Sequence, residues 1–332
     1  MTVDTFHALV VTAGEDKTFL REIKQRTVND LPDGDVLIQV HHSSLNYKDA
    51  LSAIGNKGVT RHYPHTPGID AAGTVVDSRV DAFNQGDSVL VTGYDLGMNT
   101  SGGFGQYVRV PAEWVVPLPE GLSIKQSMIY GTAGFTAGMS VHFLTEEVTP
   151  EDGPVLVTGA TGGVGSVAVA ILAKLGYSVA AVTGKRDATE FLQGIGASQI
   201  VDRADAADTS GRPLLKAQWA GVIDTVGGEI LATAIKATRP WGTVTCCGNV
   251  ASPDLPLTVF PFILRGIRLI GIDSQNCPMD LRLKVWANLA GAWRFDGLDN
   301  LATETSLDGL HHNIDLILKG QLKGRVVVNL GE

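Results

Sequence analysis

The stretch Val155-Leu156-Val157-Thr158-Gly159-Ala160-Thr161-Gly162-Gly163-Val164-Gly165 runs directly into Ser166-Val167-Ala168-Val169-Ala170-Ile171-Leu172-Ala173-Lys174-Leu175-Gly176. A short apolar run, a glycine cluster and a longer apolar run predict strand, turn and helix. A dinucleotide pyrophosphate binds at such a junction. Glycines let the backbone approach the phosphates, and the amides around Thr161, Gly162, Gly163 and Val164 face the negative charge. The glycine spacing alone is weak evidence. A preceding strand, a following helix and a second strand at 178–183 give it the context it needs.

The second strand bears on which dinucleotide is bound. An NAD site usually carries Asp or Glu at this strand tip, for the ribose 2′-hydroxyl. This chain reads Thr183-Gly184-Lys185-Arg186, with no carboxylate and two cations. A carboxylate about 4 Å from the 2′-phosphate of NADP would cost about 4 kcal/mol per charge pair at an effective dielectric near 20. Lysine reverses the sign, so NADPH is the expected cofactor. The competing reading is a solvated Lys-Arg pair on a surface loop. Arg203, past a third strand at 199–202, is a further candidate for the adenosine phosphate or a plain surface cation.

At 332 residues the chain is long for one core, and two domains are expected. A formal charge of −9 argues against nucleic acid or an anionic membrane as the main partner. The three cysteines, Cys246, Cys247 and Cys277, include two sequence neighbours, so a disulfide framework is not expected and a reducing cytoplasm fits. The first five residues show no secretion-signal character. No apolar run approaches the ~20 residues that span a bilayer.

The first third predicts β structure, with strands at 7–13, 36–41, 73–76 and 87–92 and a short helix at 48–54. From the glycine turn onward strands and helices alternate. Asp187 and Glu190 resemble a capping box. Further strands are read at 221–227, 242–248 and 268–273, and a helix at 230–238 stopped by Pro240. Six strands with helical crossovers indicate an α/β, doubly wound parallel sheet. A helix at 280–293 and a strand at 324–330 close the chain. That last strand has no evident partner nearby in sequence, so it is expected to return to the N-terminal β region.

Several further segments resemble the medium-chain dehydrogenase/reductase superfamily, in its quinone-oxidoreductase branch and the acrylyl-CoA reductase group. They are Ser43-Ser44-Leu45-Asn46-Tyr47-Lys48-Asp49-Ala50-Leu51, Pro67-Gly68-Ile69-Asp70-Ala71-Ala72-Gly73, Gly131-Thr132-Ala133-Gly134-Phe135-Thr136-Ala137 and Pro261-Phe262-Ile263-Leu264-Arg265. The resemblance implies a GroES-like catalytic domain from residues 1–124 and 274–332, with a Rossmann domain inserted at 125–273. It also implies a homodimer formed at the sixth, edge strand. Zinc alcohol dehydrogenases of this superfamily carry a Cys near the Asn46–Asp49 position and Gly-His-Glu where this chain has Gly68-Ile69-Asp70. Their four-cysteine zinc lobe has no counterpart here. His62 and His65 stand without a cysteine, so no metal is expected.

Without a Lewis acid, hydride delivery to an electron-poor C=C bond is the natural chemistry. Tyr47 is the first candidate near the nicotinamide, as proton or hydrogen-bond donor, or as packing that supports the cofactor. Asn46 is read as holding either neighbouring backbone or the nicotinamide carboxamide, and Asp49 as positioning that loop rather than touching substrate. Thr132 and Thr136 are read either as contacts to the nicotinamide amide or as caps of a helix starting near Thr132. Asn249, Phe262 and Ser274 are expected at the cofactor by the same resemblance. Lys48, Lys57, Arg61, His62, Arg265 and Arg268 are candidates for a basic rim toward a CoA substrate, each also readable as a plain surface charge. The expected reaction is NADPH-dependent reduction of acrylyl-CoA or a short 2-enoyl-CoA. The alternatives are a quinone, enone or enal acceptor, or a non-catalytic NADPH-binding protein.

Overall fold

The computed structural model describes residues 5–331. Residues 1–4, which belong to the segment read as lacking a secretion signal, lie outside them. Two compact units emerge. One holds the described residues up to Thr132, with 275–290 and those from 297 onward; the other holds 133–274 and 291–296.

The first unit opens with an antiparallel hairpin, β1 (Thr5–Ala13) and β2 (Phe19–Thr27). Then come β3 (Val36–Ser44), α1 (Tyr47–Ala53), β4 (Asp70–Ser78), β5 (Ser88–Thr92), β6 (Tyr107–Val110) and β7 (Val116–Pro117). Residues Ile38, Val40, Val75, Val89, Val91 and Val108 face one buried cluster. The charge-rich β2 carries Arg21, Glu22, Lys24 and Arg26, so no apolar run announced it.

Helix α2 (Ile124–Thr145) is broken at Gly131, which has φ +51. The units divide one residue later, after Thr132 rather than at the expected 124. The reason is local: Ile129 and Thr132 are hydrogen-bonded to residues of the first unit.

The second unit follows as β8 (Val155–Val157), α3 (Gly163–Lys174), β9 (Val179–Thr183), α4 (Thr189–Gly194), β10 (Gln199–Asp202), β11 (Trp219–Asp224), α5 (Gly228–Lys236), β12 (Thr238–Cys246), α6 (Phe260–Arg265) and β13 (Arg268–Gly271). The strands form one parallel sheet in the order β10-β9-β8-β11-β12-β13, with β13 at the edge. All residues of β8, β9 and β11 are buried. That is why they read as unbroken apolar runs rather than alternating ones.

Two local readings change. The helix at 189–194 has Ala188 at its N-cap, not Asp187, because a 3-10 turn at Arg186–Ala188 precedes it. The helix expected at 230–238 ends at Lys236, so Pro240 does not stop it. Pro240 instead lies inside β12, where the pairing jumps from Trp219↔Thr238 to Gly221↔Thr243 and the extra residues bulge outward.

The chain returns to the first unit with α7 (Met279–Ala290), β14 (Ala302–Ser306), α8 (Leu310–Leu318) and β15 (Arg325–Asn329). β15 pairs antiparallel with β3, as expected. Its second partner, the parallel β14, was not foreseen. Thr303, Glu304 and Thr305 give that strand little apolar signal.

Candidate functional site

The glycine turn stands between β8 and α3. Gly162 holds the N-cap with no side-chain cap, and Gly163 and Val164 open the helix. Thr161 is buried within the turn. The helix start thus presents its first amides without a capping side chain, an arrangement that receives an anion.

Beyond β9, Thr183 accepts a hydrogen bond at Oγ1 from the Lys185 amide, 3.0 Å. Its carbonyl accepts one from the Arg203 amide, 3.0 Å. Thr183, Gly184, Lys185 and Arg203 are thereby gathered at one strand end. The Arg203 guanidinium lies over Gly184, its Nε 3.2 Å from where a Cβ would stand. Arg203 is exposed and its side chain makes no ion pair among the described residues.

In the first unit a buried polar cluster surrounds two carboxylates. Asp70 accepts bonds from Ser44 Oγ (2.5 Å), Asn46 Nδ2 (2.7 Å), the Thr132 amide (3.0 Å) and Thr132 Oγ1 (2.6 Å). Asp49 accepts from the Asn46 and Ile69 amides, 2.7 and 2.8 Å. The buried Arg325 donates to Ile129 O, Leu45 O, Asn46 Oδ1 and Ser44 Oγ. Its Nη2 lies 4.0 Å from Asp70 Oδ2. Gly131 makes room for this: a Cβ there would stand 2.4 Å from Ser44 Oγ and 2.5 Å from Asp70 Oδ2. Burial, reinforced by Asp70, raises the Asp49 carboxyl to about 7. Burial pulls Arg325 below its usual value, opposed by Asp70 and Asp49.

This cluster sets the start of α1. Asn46 is the N-cap and Tyr47 the first helical residue, 40% exposed. Its phenol makes no hydrogen bond among the described residues. Sequence reasoning named Tyr47, Asn46, Asp49 and Thr132 but gave no function to Ser44, Asp70 or Arg325. Asp70 had a signal, since it stands in the Gly68-Ile69-Asp70 segment. Arg325 had none.

Other candidates fall elsewhere. Thr136 Oγ1 donates to Ser274 Oγ, 2.8 Å, which joins two predicted cofactor residues. Asn249 is exposed. Phe262 packs on the second unit's core. Arg265 is spent on the carbonyls of Lys236, Thr238 and Leu215. Arg268 pairs with Glu147, Lys48 bonds Gln275, and Lys57 bonds Arg61 O over the Tyr63 ring. Lys48, Lys57, Arg265 and Arg268 are thus each engaged by a partner within their own unit. His65 is buried with its Nε2 on Gly97 O.

Residues 32–120 match the family model for the alcohol dehydrogenase GroES-like domain, and residues 163–290 that for zinc-binding dehydrogenase. Acrylyl-CoA reductase AcuI of Ruegeria pomeroyi is 46% identical over 330 residues, covering 98% of this chain and 99% of its own. YhfP of Bacillus subtilis, whose name assigns it provisionally to the quinone oxidoreductases, is 44% identical over 98% of this chain and 99% of its own. The structure of YhfP with NAD bound superposes with a TM-score of 0.96 over 99% of this chain and 100% of that one. The yhdH oxidoreductase of Salmonella enterica in complex with NADP gives 0.94 at 44% identity over 97% and 99%. The chain belongs to the medium-chain dehydrogenase/reductase superfamily, in the group that holds acrylyl-CoA reductase and its quinone-oxidoreductase relatives.

One family description names zinc, and these residues do not fit it. Zinc needs a compact set of thiolate, imidazole or carboxylate ligands. Around Asp70 stand hydroxyls, an amide and a guanidinium. Among the described residues no three His, Cys, Asp or Glu side chains are grouped to hold a metal.

Proposed function

We propose that this chain is a zinc-independent, NADPH-dependent reductase of acrylyl-CoA or a related short 2-enoyl-CoA, giving the saturated thioester. The observation that carries the cofactor is the strand end after β9, where Thr183, Gly184, Lys185 and the exposed Arg203 meet with no carboxylate among these four. The uncapped start of α3 would hold the pyrophosphate, and Lys185 with Arg203 the 2′-phosphate. NADPH, when bound, supplies a hydride for the β-carbon of the conjugated thioester. The chain's own part is to fix the reactants, to stabilise charge on the thioester oxygen and to deliver a proton to the α-carbon. Tyr47 is the proposed donor, since its phenol is exposed and uncommitted while its backbone is anchored through Asn46 and Asp49. The acyl-CoA acceptor rests on the similarity to AcuI.

The similarity to YhfP supports a second reading, a quinone or enone acceptor. Steady-state rates with acrylyl-CoA, crotonyl-CoA and a soluble quinone separate the two. A quinone advantage of orders of magnitude in kcat/KM would overturn the thioester reading. The absence of NADPH oxidation with every acceptor would favour a non-catalytic binding protein.

The reading includes a homodimer. Trp241, on the bulge of β12, and Val259, Ile263 and Leu264, at the cap and along α6 just ahead of the edge strand β13 in the chain, are exposed at 73%, 63%, 67% and 63%. Apolar side chains next to an open sheet edge favour association. Light scattering that gives one chain mass would refute it. Cys246, Cys247 and Cys277 form no disulfide among the described residues, which suits a reducing cytoplasm. No helix among the described residues is long and apolar enough to cross a membrane.

A further inference from the structure

Behind the glycine turn lies a buried carboxylate that the proposed chemistry does not use. β8 and β11 are neighbours, with Val157 in register with Ile223. Asp224 ends β11 and is fully buried. No cation pairs with it among the described residues; neutral donors fill it instead. Thr158 Oγ1 donates to Oδ1 at 2.7 Å, and the Gly227 and Val226 amides to Oδ2 at 2.8 and 3.2 Å. The Thr158 hydroxyl accepts the Thr225 amide at 3.0 Å, and Thr225 Oγ1 donates back to Thr158 O at 2.9 Å. The Asp224 carbonyl accepts the Cys247 amide at the end of β12, 3.0 Å. One residue thus ties three consecutive sheet strands at their carboxyl ends.

The tie reaches the turn through one residue. Gly159 follows Thr158 at φ +59, and a Cβ there would stand 2.3 Å from Thr225 Oγ1. The Gly159 carbonyl accepts the Gly162 amide at 2.9 Å, and Gly162 caps α3. An unpaired buried carboxylate is costly. Its value here lies in being acceptor-only: three donors converge on it, and an amide side chain would turn its own NH2 toward at least one of them.

We propose that Asp224 is the positioning residue of the nucleotide turn, acting through Thr158 and Thr225 to hold Gly159 and the start of α3 in the shape that receives a pyrophosphate. The proposal rests on the dinucleotide reading above. It touches the part common to NADPH and NADH, not the 2′-phosphate.

The test is nucleotide-fluorescence titration of the full chain. Asp224→Asn is expected to weaken NADPH and NADH by the same factor, about tenfold, with their affinity ratio unchanged and kcat at saturating NADPH within about twofold of wild type. Thr158→Val, which keeps the carboxylate, shifts affinity the same way by less, and Thr158→Ser restores it. If Asp224→Asn does not fold, the Thr158 pair decides. A folded variant with wild-type affinity for both nucleotides overturns the proposal, as does a loss confined to NADPH. A wild-type chain that binds neither nucleotide overturns the reductase reading itself.

Discussion

The glycine turn of the second unit and the buried carboxylate cluster of the first are built on opposite plans. The turn is made from consecutive residues and leaves its amides open for an incoming anion. The cluster draws Ser44, Asn46, Asp49, Asp70, Thr132 and Arg325 from four distant stretches, and its donors and acceptors largely satisfy one another. The first is prepared for a ligand. The second is prepared for a shape: it spends its charge internally to fix Asn46, and with it the start of the helix that displays Tyr47. Variants of the two regions should therefore fail in different ways.

The largest effect is expected at Arg325. It is the cation that faces two buried carboxylates, and removing one partner of a buried pair typically costs about 3–5 kcal/mol. Arg325→Met should lower the denaturation midpoint accordingly, and adding Asp70→Asn should recover part of the loss. A single-variant loss below about 1 kcal/mol would show that the cluster is not an internal brace.

Asp49 gives the cluster a pH signature. Its ordinary pKa of 3.8 rises to about 7 on folding, first through burial and then through Asp70. Between those values the native state holds a proton that the unfolded chain has released. Stability therefore falls as pH rises from about 4 to 7 and levels above, by up to about 4 kcal/mol. Asp49→Asn should flatten that slope in thermal melts at pH 5 and 8. Asp224, whose burial also pushes its carboxyl upward, adds to the slope with the same sign, and the buried His65, held below its usual value by desolvation, opposes it. An unchanged slope would remove Asp49 as its source.

Tyr47→Phe separates the display from the chemistry. The phenyl ring keeps its place at the head of α1 but loses the proton. A fall of about 100-fold in kcat with KM held supports proton donation. Unchanged turnover would leave Tyr47 as support only.

The difference between the two regions also explains what could be read in the sequence. Strands β8, β9 and β11 are buried throughout, so Val155-Leu156-Val157 and its neighbours appear as apolar runs, and the turn lies within eleven residues. Local chemistry suffices there. Arg325 lies at the start of a strand where nothing nearby marks it as buried. Its role exists only because β15 lies against β3 and because Gly131 leaves space beside Ser44. Pro240 misled for a related reason. Its effect on a helix is local knowledge, but the outward bulge that accommodates it depends on the pairing with β11.

The smallest expected effect tests the turn's region at its outer end. Lys185 stands past β9 beside Gly184, with the Arg203 guanidinium over that glycine. Lys185→Glu brings a carboxylate toward the 2′-phosphate, where solvent screens most of the ~4 kcal/mol that a close pair would carry at a dielectric near 20. The NADPH-to-NADH affinity ratio should fall at least about tenfold, and more steeply at low salt, while NADH binding stays near wild type. The ratio is the discriminating quantity, because damage behind the turn weakens both nucleotides together. Equal losses for the two would mean that Lys185 does not read the phosphate. The preference would then have to come from Arg203 alone, and Arg203→Ala would be the substitution that abolishes it.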